Sequence, residues 1–262
     1  MCRSLLQNLI DVKERIRRAG RVSLFLDFDG TLVPFTRDPA QASLDERTRK
    51  TLTRISRNDR FITTIISGRA ISDLRSRIGL KRFIYAGNHG LEIRGRQLRF
   101  LEPTAAAQEE TLRQLSRELA TKLQATAGAV VEYKGLTTSI HYRQAAVRDV
   151  PQIEAAVRAA VLSAGQPFEI TPGKMVFDIM PRTNWQKGAA VSWINERLGN
   201  VLSIYLGDDS TDESAFRVLP EGVTVKVGSF TATSAHYHLA GPPAVQAFLI
   251  WLADQRARRT KG

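Results

Sequence analysis

The sequence predicts an α/β fold in which a parallel-sheet core carries a second, smaller α/β unit inserted into it. Three observations predict this. Apolar runs that do not alternate, at residues 24–26, 61–66, 201–206 and 223–227, read as strands buried on both faces. Helical stretches separate them, as crossovers between parallel strands require. Between Pro103 and Pro181 the order becomes helix, strand, strand, helix, strand, strand, the pattern of a compact unit of its own. The expected division is a core of residues 1–101 and 182–262 and an inserted cap of residues 102–181.

In chain order, a leading helix is expected over residues 5–18 and the first strand over 22–26. A helix over 43–56, a strand over 61–66, a helix over 71–78 and a strand over 83–86 follow. Segments 91–93 and 97–100 flank Arg94-Gly95-Arg96, which reads as a hairpin turn. After Pro103 comes a long helix over 105–125, then alternating strands over 129–133 and 137–142 about a turn at Gly135. A helix over 150–164 and a hairpin of 168–171 with 175–179 complete the insertion. The parallel pattern then resumes: helix 186–198, strand 202–206, helix 212–218, strand 223–227 and helix 244–256. No internal repeat or low-complexity linker interrupts it.

Chemistry is expected at the carboxyl ends of the buried strands. The first ends in Asp27-Phe28-Asp29-Gly30-Thr31, although Asp-Gly is also an ordinary turn former. A second acidic cluster, Gly207-Asp208-Asp209-Ser210-Thr211-Asp212-Glu213, follows another apolar run and shifts the balance. Clustered carboxylates repel unless a cation compensates, and an all-oxygen set favours Mg²⁺ over zinc. Glu213 reads instead as a charge suited to the first turn of a helix. Ser67, ahead of Gly68 and Arg69, stands at a strand-to-helix junction where a hydroxyl can meet an anion; an ordinary N-cap is the plainer alternative. Lys187, before an apolar stretch, would by itself be a solvated lysine.

Taken in order, the Asp-x-Asp, Ser67, Lys187 and Asp208-Asp209 segments resemble the motifs of the haloacid-dehalogenase superfamily of phosphotransferases. Longer stretches resemble its trehalose-6-phosphate phosphatase family: Tyr85-Ala86-Gly87-Asn88-His89-Gly90-Leu91-Glu92-Ile93, Val131-Glu132-Tyr133-Lys134, Ser139-Ile140-His141-Tyr142-Arg143, the Trp185-Gln186-Lys187-Gly188 ending, and residues 207–216. The resemblance spans nearly the whole chain. It implies a Rossmann-like parallel-sheet core with an α/β cap, and a Mg²⁺-dependent hydrolysis of trehalose 6-phosphate through an aspartyl-phosphate. Asp27 would be the nucleophile and Asp29 the acid and then the base. Mg²⁺ would be held by Asp27, the Asp29 carbonyl and Asp208, beside Lys187 and the Ser67 hydroxyl. Asp209 and Asp212 would orient Lys187 or the metal's waters. Gly30, Thr31, Gly68 and Arg69 would surround the phosphate, and Asn88, His89, Glu132, Lys134, Arg143 and Asp178 the sugar. Trp185 and Trp193 read as core residues, and His141 as a strand-surface histidine.

One departure bears on the substrate. The family pattern Glu-Ile-Arg-Pro stands here as Asp178-Ile179-Met180-Pro181, an acid one methylene shorter and an arginine lost. A phosphatase for another glycosyl phosphate, such as sucrose phosphate or a glucosylglycerol-type phosphate, is therefore the alternative. A noncatalytic sugar-phosphate sensor would not need the nucleophile and acid together.

Composition bounds the rest. At 262 residues and 43% hydrophobic, the chain can bury a sizeable core. Its single cysteine, Cys2, excludes an internal disulfide framework. With no apolar signal core or membrane-length run, a cytoplasmic protein with no membrane partner is expected. The net charge of +12 comes from scattered basic residues and a tail of Arg256, Arg258, Arg259 and Lys261. Without interleaved aromatics it predicts general attraction for anionic sugar phosphates, not specific nucleic-acid binding. The candidate macromolecular partner is a glycosyltransferase acting upstream.

Overall fold

A computed structural model describes residues 2–36, 39–165, 167–173, 175–199, 201–230 and 232–255, so the basic tail lies outside the described residues. The chain divides into two compact units: Met1–Phe100 with Trp185–Gly262, and Leu101–Asn184.

The first unit is built on β1 (Arg3–Ser4), α1 (Leu9–Arg18), β2 (Val22–Leu26), α2 (Glu46–Ser56), β3 (Phe61–Ile66), α3 (Ile71–Ile78), β4 (Ile84–Gly87), β5 (Glu92–Gly95) and β6 (Leu98–Leu101). The second unit carries α4 (Pro103–Ala107), α5 (Glu109–Leu123), β7 (Val130–Tyr133), β8 (Thr138–His141), α6 (Val150–Ser163), β9 (Phe168–Gly173) and β10 (Val176–Pro181). The first unit then resumes with α7 (Lys187–Leu198), β11 (Leu202–Gly207), α8 (Glu213–Arg217), β12 (Val223–Val227), β13 (Tyr237–Leu239) and α9 (Pro242–Ala253).

Among the described residues, the larger sheet runs β1-β13-β12-β11-β2-β3-β4-β5-β6. The pairs from β1 to β4 are parallel, and β5 turns back antiparallel on β4. Strand β2 is central because both its faces are apolar. Leu24 and Leu26 point to a layer that includes Ile16, Leu52, Leu74 and Phe248, while Phe25 points to one with Ala190, Ile194 and Phe216. The order reverses at β2: the chain leaves toward β3 and returns on the other side as β11. Ligand sites in such sheets form at this switch point, beyond the strand carboxyl ends. Register makes it concrete, since Leu206 pairs with Leu26 and the Asp27 N–H donates to the Leu206 carbonyl at 3.0 Å.

The second unit has an antiparallel sheet ordered β7-β8-β10-β9. Alternation sorts its side chains. Ile140, Phe177 and Ile179 pack against Leu112, Leu115, Leu119, Ile153 and Val157 of α5 and α6. Glu132, Ser139 and Asp178 pair in one row across β7, β8 and β10 on the opposite face.

Several elements differ from the sequence expectation. The helix expected over 105–125 is two, broken at Gln108, whose ψ of 1° leaves the helical range. The Glu102 carboxylate caps the first piece by accepting from the Ala105 N–H at 2.6 Å. The leading helix opens with a tight turn at Leu6–Asn8, and the last starts at Pro242, a residue that suits a first turn because its missing N–H has no helical partner to lose. Strands β1 and β13 were not foreseen; they are short and pair with each other at the sheet edge.

Candidate active site

Three loops of the first unit converge at the switch point. After β2, Asp27 is buried, at 5% exposure, and its Oδ1 accepts from Lys187 Nζ at 2.9 Å. Lys187 is the first residue of α7 and is itself 3% exposed; it also donates to Asp212 Oδ1 at 2.7 Å. Asp212 is held further by the Tyr205 hydroxyl at 2.7 Å and by the Asp209 N–H at 2.9 Å. A lysine between two acids is therefore fixed in a water-poor place, and it is no surface lysine.

The electrostatics follow from burial and these contacts. Burial pushes the Asp27 carboxyl well above the usual carboxylate range; Lys187 works against this, and Asp212 and Asp208 add to it. Burial also opposes the charge of Lys187, but Asp212 and Asp27 outweigh it, so the ammonium is held well above its ordinary value. For Asp212, burial is again outweighed, here by Lys187, Tyr205 and the Asp209 N–H, and its carboxyl lies below the usual range. The charged form is thus better supported at Asp212 than at Asp27, and added positive charge beside Asp27 would favour its carboxylate.

Asp27, Asp208 and Asp212 each offer a carboxylate oxygen, and these oxygens lie within 4.8 Å of one another. An all-oxygen set of this kind fits a hard divalent cation. The oxygens of Asp212 are already committed to Lys187, Tyr205 and Asp209, which leaves Asp27 and Asp208 as the side chains best able to hold one. Gly30 makes room for the approach. At its φ of +83° a Cβ would sit 2.5 Å from Asp208 Oδ2.

Asp29 is placed differently. Its carboxylate takes both arms of Arg69, Nε at 2.6 Å and Nη2 at 2.7 Å, and Arg69 Nη1 also meets Asp73 at 2.8 Å. Arg69, expected around the phosphate, therefore gives its guanidinium to two acids and lies 5.4 Å over the Phe28 ring. Ser67 is not an N-cap: α3 begins at Ile71 after Ala70, and the Ser67 hydroxyl, 2% exposed, accepts from the Arg69 N–H at 3.3 Å. The Asn88 and His89 N–H groups bind the carbonyls of Arg69 and Ser67 at 2.8 and 2.9 Å, tying the β4 and β3 loops together. Both residues are left-handed, with φ of 50° and 59°, an uncommon strain that suits a loop under functional constraint. A Cβ on Gly68 would lie 2.6 Å from His89 Nε2, so that glycine makes room for the imidazole.

The side chains of two further residues of the loops sit apart from these contacts. Thr31 is fully buried and its hydroxyl has no hydrogen-bond partner among the described residues, so it lies off the accessible surface of the loop. Asp209 does not meet Lys187; its carboxylate caps the turn after β11 by accepting from the Ser210 N–H at 2.7 Å. Tyr205 was missed because a tyrosine inside an apolar strand reads as core. Trp185 and Trp193 are packed as expected, stacked 4.3 Å and tilted 5.1 Å from Phe100, and Trp185 Nε1 donates to the Gly90 carbonyl.

In the second unit, Lys134 Nζ stands 3.9 Å from both Glu132 and Asp178, and His141 Nε2 lies 2.9 Å from Glu132. Asp178 accepts from the Ser139 hydroxyl. Arg143 is half-buried just beyond β8.

The topology is that of haloacid-dehalogenase-like hydrolases. A haloacid dehalogenase-like hydrolase from Bacteroides thetaiotaomicron superposes with a TM-score of 0.61 at 15% identity, covering 88% of this chain and 99% of that one. The C-terminal domain of a C. albicans trehalose-6-phosphate phosphatase reaches 0.79 at 23% identity, over 97% and 98% of the two chains. The chain belongs to the trehalose-phosphatase family, whose sequence profile matches residues 25–243. It is 32% identical to trehalose 6-phosphate phosphatase RA3 of Zea mays, over 92% of this chain and 72% of that one. It is 35% identical to the trehalose-phosphate phosphatase of Mycobacterium tuberculosis, over 90% and 62%. Among the described residues no helix is long and apolar enough to cross a membrane.

Proposed function

We propose that this protein hydrolyses trehalose 6-phosphate to trehalose and phosphate, with Mg²⁺ as its divalent cation. The observation that carries the reading is the Lys187 bridge between Asp27 and Asp212 beside Asp208. Lys187 takes Asp27 Oδ1, so attack on phosphorus falls to Oδ2. A bond forms from that oxygen to phosphorus as the bond from phosphorus to the sugar oxygen breaks, and Asp29 gives the departing oxygen its proton. Asp29 then takes a proton from water, which attacks the aspartyl-phosphate and restores Asp27. To act, Asp29 must exchange its Arg69 partner for the leaving oxygen. Asp27, the Asp29 carbonyl and Asp208 would hold Mg²⁺, which would supply charge compensation for the two anions brought together. Ser67 and the Gly68 and Arg69 backbone border the phosphate, and Asn88 and His89 adjoin them.

Sugar recognition belongs to the cap, on the polar face of Glu132, Lys134 and Asp178, with Arg143 at its end. Cytoplasmic residence suits a chain whose one cysteine is free. The departure Asp178-Ile179-Met180 from the family's Glu-Ile-Arg supports a second reading, in which the shorter acid serves a different glycosyl phosphate. Phosphate release from a panel of sugar phosphates, with and without Mg²⁺, tests both. Metal-dependent turnover led by trehalose 6-phosphate is expected, with Asp27→Asn inactive. A lead for another glycosyl phosphate supports the second reading; full activity in Asp27→Asn refutes the mechanism.

A further inference from the structure

Strand β12 reads Val223-Thr224-Val225-Lys226-Val227 and is buried throughout, so a charge within it needs a reason. Lys226 is 6% exposed and pairs with Gly207 across β11, at the point where the acidic loop leaves the sheet. Its Nζ donates to the Asp209 carbonyl at 3.0 Å and lies 3.7 Å from Glu213 Oε1. The Asp209 N–H is held on its other side by Asp212. Both backbone polar atoms of Asp209 are thus fixed. The N–H belongs to the peptide that joins Asp208 to Asp209 and the carbonyl, held by Lys226, to the next peptide, so together they fix both sides of Asp209 and with them the direction in which the Asp208 side chain leaves the chain.

Glu213 is more than a helix-end charge. It accepts from Thr233 Oγ1 and from the Ser234 N–H, each at 2.8 Å, and so anchors the counter-charge of Lys226 to the loop before β13. Burying an ammonium and a carboxylate costs desolvation that an apolar pair would avoid, so packing alone does not explain them.

We propose that Lys226, backed by Glu213, is a positioning residue that holds Asp208 for the divalent cation. The inference rests on the metal reading of Asp27 and Asp208. It also carries a sign. A cationic side chain near a cation site is repulsive, so its removal would tighten metal binding if charge were all it supplied. If it orders the loop, its removal weakens binding, and loss of such supporting contacts lowers metal affinity by about 10- to 100-fold.

Calorimetric titration of the full chain with Mn²⁺, paired with thermal melts in chelator, separates these. Lys226→Met should bind Mn²⁺ about tenfold more weakly than wild type, and Lys226→Arg, which keeps donor and charge, within about threefold of it. Unchanged or tighter binding by Lys226→Met overturns the proposal. Should that variant not fold, Glu213→Gln decides: weaker Mn²⁺ binding supports the proposal and unchanged binding overturns it. A wild-type chain that binds no Mn²⁺ removes the metal reading and this proposal together, whereas wild-type binding with an unaffected Lys226→Met removes this proposal alone.

Discussion

The phenol of Tyr205 donates to Asp212 Oδ1 at 2.7 Å, the same oxygen that receives Lys187. Burial and the neighbouring acids hold this phenol well above its ordinary pKa, so it remains a donor throughout the working pH range. Its ring is fixed by stacking with Phe25 and an edge contact with Phe216. Tyr205→Phe keeps the ring and removes only the donor. A hydrogen bond to a charged group contributes about 1.5–3 kcal/mol, and a comparable loss of stability is expected in urea melts. Turnover should fall about tenfold with little change in KM, because Lys187 loses a firmly held partner while the substrate contacts stay. An unchanged kcat would show that Asp212 is held without it.

Lys187 donates to two acids, so its removal takes a hydrogen bond from Asp27 and strands the buried charge of Asp212 without its ammonium partner. Lys187→Met should lower stability by about 3–5 kcal/mol, the cost of breaking a buried pair from one side. Asp212→Asn added to it should restore part of that stability and none of the activity. Activity should fall by at least about 10²-fold, as for other groups that stabilise transition-state charge. Urea melts and single-turnover phosphate release measure the two effects separately. A double variant no more stable than Lys187→Met would show that Asp212 is not the stranded charge.

Gly30 tests the close approach of Asp208. A methyl group there meets the Asp208 carboxylate at 2.5–2.6 Å, and the φ of +83° adds about 1–2 kcal/mol of backbone strain. Gly30→Ala should lower the melting temperature and move the Mg²⁺ activation curve to higher concentration. A lower melting temperature with an unmoved activation curve would confine the effect to the backbone and the Phe35 ring, which the methyl group also meets.

The parts legible in the sequence were those that depend on local pattern. The continuous apolar runs of β2, β3 and β12 follow from burial on two faces, and the residues after β2 and β11 were marked as chemistry because buried strands end there. Partnerships were not legible, because they depend on register between distant segments. The fork of Arg69 on Asp29 exists only because β2 and β3 lie side by side, which no local pattern reports. For Ser67 the sequence leaves both an anion contact and a helix cap open, and α3, beginning at Ile71 after Ala70, removes the cap. Tyr205 and Lys226 were hidden within strands. A polar atom in a strand buried on both faces must find a partner, and asking for those partners would have pointed to both residues.

Asp73 connects the Arg69 pair to pH. It accepts from Arg69 Nη1 at 2.8 Å and from Arg77 Nε at 2.7 and 2.8 Å. Burial opposes its charge, but the hydrogen bonds from Arg77 and Arg69 outweigh burial and hold the carboxyl below its ordinary range. The folded-state pKa is thus lower than the unfolded value of about 3.9, so folding gains stability from Asp73 above that pH. The gain disappears as the pH falls through the folded pKa. Asp73→Asn should therefore melt lower than wild type near neutral pH, by a gap that is flat above about pH 5 and closes below about pH 4. Thermal melts across that range measure it. A gap that stays constant into acid would show that Asp73 contributes through packing and neutral hydrogen bonds, with no share from its charge.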